Sequence, residues 1–175
     1  MTKTKLKSGP ETAGNKASCG GTRKGTSSRL YRLIERQPLF EGLSASQLEM
    51  LTGLAMEMEF EPGEYIFRQQ DPANRFYVIL EGRVEVELAS PPDGIKPIQI
   101  AGPGDHLGWS WLFEPYSFYV SARITKPTRT IFIYGTMLRQ YCEEDHDLGY
   151  EIVKRVAGVA LKRLIAFQQN IQERT

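Results

Sequence analysis

Residues 61 to 86 read EPGEYIFRQQDPANRFYVILEGRVEV. Turn signals divide the stretch at Pro62-Gly63, at Asp71-Pro72-Ala73-Asn74 and at Glu81-Gly82. Between them lie short runs rich in β-branched and aromatic residues: Tyr65 to Phe67, Phe76 to Leu80 and Val84 to Leu88. Such runs are too short for independent helices, and their Gly and Pro punctuation predicts strands joined by tight turns.

The same pattern continues outward. Upstream, Met56, Met58 and Phe60 alternate with Glu57 and Glu59, the period of a half-buried strand. Downstream, Ile98 to Ile100 follows a PPDG turn, and Val120 to Ile124 and Thr130 to Tyr134 follow later. Regularly spaced short strands predict a sandwich or barrel, and no strand-helix-strand rhythm calls for a parallel sheet.

Helices flank the strands. Ser28 is a candidate cap for a short helix with Leu30, Leu33 and Ile34 on one face, stopped by Pro38. Ser44 to Gln47 (SASQ) has the form of a capping box, and Leu48, Leu51 and Leu54 follow as a buried stripe. A short helix is expected from Thr136 and a long one from about Asp147 to Gln172. In the long helix Val153, Ala157, Ala160, Leu164, Phe167 and Ile171 are spaced 4, 3, 4, 3, 4, a heptad seam. A second stripe, Leu148, Ile152, Val156 and Val159, lies on a neighbouring face. One face then packs on the β domain while the seam pairs with a second copy; the alternative is that both faces dock within one chain. Gly158 weakens the helix by about 1 kcal/mol relative to Ala while permitting close helix approach.

The 175 residues allow one compact domain with tails. Basic and acidic side chains number 22 and 21, yet they are unevenly divided. Residues 1–29 carry Lys3, Lys5, Lys7, Lys16, Arg23, Lys24 and Arg29 against Glu11 alone, a net +6, which leaves −5 on the remainder. The Gly, Ser, Thr and Lys content of this segment predicts a solvated, disordered tail; a contact with nucleic acid or an anionic protein is the alternative. Residues 30–135 are expected to form the helices and β domain, and 136–175 the C-terminal helices. Cys19 and Cys142 are far apart and no signal peptide or membrane span is evident, which points to the cytoplasm. Without CxxC pairs or His-rich spacing, no metal site is expected, and His106 and His146 read as ordinary polar residues.

The points in Glu61 to Val86, namely Gly63, the DPA turn, the apolar run Phe76 to Ile79 and Gly82, together with Pro103-Gly104, resemble the cyclic-nucleotide-binding β-roll of the catabolite-activator and FNR superfamily. The resemblance covers residues 38 to 172 and implies an eight-stranded β-roll, mainly β with flanking helices, followed by a long dimerisation helix. Gln70 departs from the family, which usually has Gly there; a side chain restricts backbone that Gly leaves free.

In cyclic-nucleotide binders of this superfamily the phosphate-binding cassette resembles G-E-x-A/G-L, a spacer, then R-S/T-A. The Glu accepts a ribose hydroxyl and the Arg pairs with the cyclic phosphate. Here the segment from Gly104 to Ile124 reads GDHLGWSWLFEPYSFYVSARI. Gly108 matches the glycine, Trp109 stands at the Glu position, Leu112 matches the leucine, and Phe118, Tyr119 and Val120 replace Arg, Ser/Thr and Ala. Burying an unpaired phosphate costs several kcal/mol, so weak or absent cyclic-AMP binding is expected. Six aromatics, Trp109, Trp111, Phe113, Tyr116, Phe118 and Tyr119, fall within eleven residues. They are candidates to stack a planar ring, to form a protein-binding hot spot, or simply to fill the vacated cavity. Gly108, Trp109, Ser110, Trp111, Leu112, Phe118, Tyr119 and Arg123 define the candidate ligand or partner surface. Arg123, Lys126 and Arg129 are candidate substitutes for the phosphate contact, or residues of a solvated sheet face.

Other chemistry finds little purchase. Gly108 to Leu112 half resembles a nucleophile elbow but ends in Leu112 and lacks a coherent His/Asp partnership. The acidic run Glu143, Glu144, Asp145 and Asp147 around His146 suits the positive start of a helix as well as a metal. No GxGxxG or P-loop motif is present, so no catalytic residue is assigned.

Superfamily regulators usually carry a helix-turn-helix after the long helix, where this sequence stops at Thr175, so specific DNA binding is not expected. Size, the missing DNA-binding domain and LGWSWLF also resemble the accessory subunit of soluble NAD-reducing nickel–iron hydrogenases. That resemblance implies a homodimer on the diaphorase side of a larger redox complex, an associated NADPH response, and no iron, nickel or flavin of its own. The leading expectation is therefore a non-catalytic accessory or regulatory subunit; the alternative is a stand-alone sensor of cyclic nucleotides or other small molecules.

Overall fold

The computed structural model describes residues 23–92 and 94–172. The expected tail as far as Thr22, with Cys19, lies outside the described residues, as do the side chains of Phe167 and Ile171. The elements are α1 (Arg23–Glu35), a 3-10 turn (Pro38–Phe40), α2 (Ala45–Gly53), β1 (Ala55–Phe60), β2 (Tyr65–Phe67), β3 (Arg75–Ser90), β4 (Gly94–Ala101), β5 (His106–Leu107), a second 3-10 turn (Trp109–Leu112), β6 (Ser121–Tyr134), α3 (Gly135–Glu144) and α4 (His146–Gln172). Helix α1 starts ahead of the expected cap at Ser28 and takes in Arg23 to Arg29 of the expected tail.

The strands form one antiparallel sheet in the order β1-β6-β3-β4, with β2 on β6 and β5 on β3. Among the described residues it contains six strands rather than the expected eight. Phe76 to Leu80 and Val84 to Leu88 are two halves of β3, while Ala122 to Ile124 and Thr130 to Tyr134 belong to β6. Gly82 does not reverse the chain. The register of β3 against β6 shifts between Ile79 and Val84, so a bulge bends the strand without ending it. Gly82 has φ 104°, and an added Cβ would lie 2.5 Å from the Pro127 carbonyl oxygen and 2.6 Å from Thr128 Cα. Only glycine fits where the long strands cross.

Strand alternation gives the molecule two apolar cores. Phe76 and Val78 of β3, with Ile131 and Ile133 of β6, face α1, α2, α3 and α4. Tyr77 and Ile79, with Phe132, face the interior of the roll beside Phe67, Val84, Val86, Leu107 and Phe118. The continuous apolar run at Phe76 to Ile79 is thus a strand buried on both faces.

The helix signals have direct counterparts. Ser44 accepts from the Gln47 amide at 3.3 Å while Gln47 Oε1 accepts from Ser44 N–H at 3.0 Å, the capping box. Leu48, Leu51 and Leu54 are buried behind it. In α4, Leu148, Ile152 and Val156 are buried, each contributing about 1.5–3 kcal/mol. Asp145 Oδ1 accepts from the Leu148 amide at 3.0 Å, which gives the acidic run a structural task. Arg155 ties α4 to the first 3-10 turn, donating to the Leu39 carbonyl at 2.8 Å and the Glu41 carbonyl at 2.5 Å. Val153, Ala157, Ala160 and Leu164 of the seam are exposed.

Candidate functional site

The expected cassette begins at Gly104, turns through β5 and continues as the 3-10 turn. Gly108 starts that turn at φ 86°; a Cβ there would sit 3.0 Å from the Arg75 carbonyl oxygen and 3.1 Å from the Phe118 ring. A glycine therefore serves both the left-handed backbone and the close approach. Trp109 is half-buried and its indole N–H donates to the His106 carbonyl at 3.2 Å.

Phe118 is 5% exposed, and its ring stacks on Phe67 with centroids 3.9 Å apart and planes 17° apart. The loop is fixed by the DPA turn: the Phe118 carbonyl accepts from Gln70 N–H at 2.8 Å, and Phe118 N–H donates to the Asp71 carbonyl at 3.0 Å. Gln70 pays for this with φ 73°, the left-handed region that the family's glycine enters without strain.

Phe67 and Phe118 form one wall of a cavity of about 320 Å³. Trp109, Ser110, Phe113 and Tyr119 line it as well, with Val86, Leu107, Gly108 and Val120 completing the roll side. Ala160 of α4 reaches its edge. None of the described lining residues carries a charge. Phe113 and Tyr119 are 53% and 59% exposed, large aromatics left open to solvent.

The six aromatics of the cassette do not act as one cluster. Trp111 is 1% exposed and belongs to the helix-side core, where an added Cβ on Gly135 would lie 2.6 Å from Trp111 Cβ and 2.7 Å from its ring. Leu112 packs against the same core. Tyr116 lies under the Arg139 guanidinium, 3.9 Å from the ring centroid, and Arg139 also donates to the Trp111 carbonyl at 2.8 Å. Short-range sequence density thus concealed a division between pocket and helix core.

Arg123 does not line the cavity. It projects from β6 to Glu85, 2.5 Å away, and to Glu87, on the charged face of the sheet. The hydrogen bonds it donates to Glu87 and then Glu85 raise its pKa above the ordinary arginine value. Arg129 is likewise tied to Glu57 at 3.1 Å and to Glu81. The solvated-face reading is the one these pairs fit. Phe67, Val86 and Leu107 were not singled out as site residues from sequence, and Ala160 was singled out for the seam of α4 rather than for the pocket.

An antiparallel β-roll closed by helices, with a pocket behind a glycine-led 3-10 turn, defines the architecture of a ligand-binding regulatory domain. The family model for the cyclic nucleotide-binding domain matches residues 57–145, and the chain belongs to that family. A Geobacter metallireducens chain solved as a cyclic nucleotide-binding protein is 32% identical, with a TM-score of 0.69 over 79% of this chain and 98% of that one. The CRP-like cAMP-activated global transcriptional regulator of Mycobacterium tuberculosis is 23% identical over 125 residues, 71% of this chain and 56% of the regulator. Cyclic nucleotide-gated channel alpha-4 of Mus musculus is 31% identical over 75 residues, 43% of this chain and 12% of the channel. The chain thus spans little more than half the length of the regulator and a small part of the channel. Of these relatives, one is named as a transcriptional regulator and one as a gated channel. No described helix is long and apolar enough to cross a membrane.

Proposed function

We propose that this chain is a non-catalytic regulatory module in which the family pocket has lost its use for a cyclic phosphate. The observation that carries the reading is the Phe118–Phe67 stack in a cavity whose described lining bears no charge. A cyclic nucleotide would bring an anion there without a paired donor fork, a cost of several kcal/mol. NADPH carries more phosphate and meets the same obstacle. Polarisation of a fluorescein-labelled cyclic AMP tests the reading: the account expects no saturable rise, and a rise reversed by unlabelled cyclic AMP contradicts it.

Output through protein contacts is the second part of the proposal. Val153, Leu161, Leu164 and Ile165 of α4 are 44–57% exposed, an apolar surface on a helix whose opposite stripe is already buried. The heptad spacing fits a second copy, so the module is a homodimer through α4. Light scattering should report a dimer that Leu164→Glu converts to monomer; a monomeric native chain contradicts it. Docking on an NAD(P)-linked redox complex such as a soluble hydrogenase is a finer reading that rests on the LGWSWLF resemblance. Co-purification from the native host tests it: large redox subunits support it, and an isolated dimer favours the stand-alone sensor.

A further inference from the structure

We propose that the cavity behind the 3-10 turn binds a flat, uncharged aromatic molecule, on the reading that the site takes no cyclic phosphate. Five of its described lining residues are aromatic: Phe67, Trp109, Phe113, Phe118 and Tyr119. Their rings present the quadrupolar faces and edges that reward a further ring in stacked or edge-on contact over an aliphatic chain of equal area. The Phe67–Phe118 stack closes the wall, since these rings already satisfy one another at 3.9 Å. The Trp109 indole N–H is committed to the His106 carbonyl, which fixes the ring as a surface rather than a donor.

The same lining sets the remaining properties of the ligand. Without a charged residue among the described lining to pair with it, an ion would be desolvated at a loss, so the ligand is neutral. A volume of about 320 Å³ lies at the small end of the range for small-molecule sites, enough for a fused ring system with short substituents. Ser110 and Tyr119 bear the hydroxyls on the lining and suit a ring carrying one or two neutral polar substituents. Phe113 and Tyr119, more than half exposed, stand at the mouth, where a ring would cover them.

The full chain titrated with N-phenyl-1-naphthylamine, a neutral aromatic fluorophore, provides the test. Expected are saturable emission with one probe per chain and competition by 1-naphthol at least about tenfold stronger than by 1-decanol, the worth of a good ring contact. Ala160→Trp, a seam position of α4 at the cavity edge, should weaken the probe at least about tenfold by occlusion. Ala157→Trp, on the same seam but away from the lining, perturbs pairing of the helices equally and should not weaken the probe. Absence of saturable binding, equal competition by decanol, or equal effects of the two helix variants overturns the ligand class. Displacement by micromolar cyclic AMP overturns instead the reading on which it rests.

Discussion

Gln70 N–H donates to the Phe118 carbonyl across 2.8 Å while Gln70 itself sits at φ 73°. A strained residue just ahead of the DPA turn therefore anchors the ring that closes the pocket wall. Left-handed backbone costs about 1–2 kcal/mol for an L residue, whereas glycine adopts it freely at an entropic cost in the unfolded chain.

Replacing Gln70 by Gly should relieve that strain. The expected outcome is a net gain of about 0.5–1 kcal/mol in urea unfolding, with an unchanged slope against denaturant. Loss of stability would mean that the Gln70 side chain makes a contribution outweighing its backbone.

Phe118→Ala removes a ring that is 5% exposed and stacked on Phe67. Truncations of this kind cost about 3–5 kcal/mol, so the midpoint of chemical unfolding should fall accordingly. A cost below about 1 kcal/mol would show that the wall collapses around the gap, and that the stack is not what shapes the cavity.

Cys142 should be a sluggish nucleophile. Burial first, and then the charges of Asp145 and Glu143, push its pKa up from 9.0 to about 11. At pH 8 it then holds about a hundredfold less thiolate than an ordinary cysteine, and iodoacetamide labelling in a Cys19→Ser background should be correspondingly slow until the chain is denatured. Because the folded state keeps this proton longer, stability is intact below pH 9 and falls as the pH rises through about 11. Equal labelling rates for folded and denatured protein at pH 8 would contradict the assignment.

The architecture was legible where one residue type has one physical use. Ser44 and Gln47 announce a capping box, and the heptad of α4 announces an exposed seam beside a buried stripe. The count of strands was not legible, because Gly82 signals a turn as readily as a bulge and only the register with β6 distinguishes the two. At the site, the absence of the expected Glu and Arg could be read at Trp109 and Phe118. Which aromatics face the pocket could not: Trp109 and Trp111 are two residues apart and both pack in the helix-side core, yet of the two only Trp109 lines the pocket, and Phe67, the partner of Phe118, is distant in sequence. Arg123 and its carboxylates are likewise brought together only by the β3–β6 register, which pairs Arg123 with Glu85.

Isothermal titration of the unmodified chain with cyclic AMP tests the central claim most directly. The account predicts no saturable heat at ligand concentrations up to about 1 mM, because a phosphate entering the cavity between Phe118, Trp109 and Tyr119 finds no charge to pair with among the described lining residues. A one-to-one isotherm in the low-micromolar range, lost in a Ser110→Trp variant that keeps its melting temperature, would contradict it.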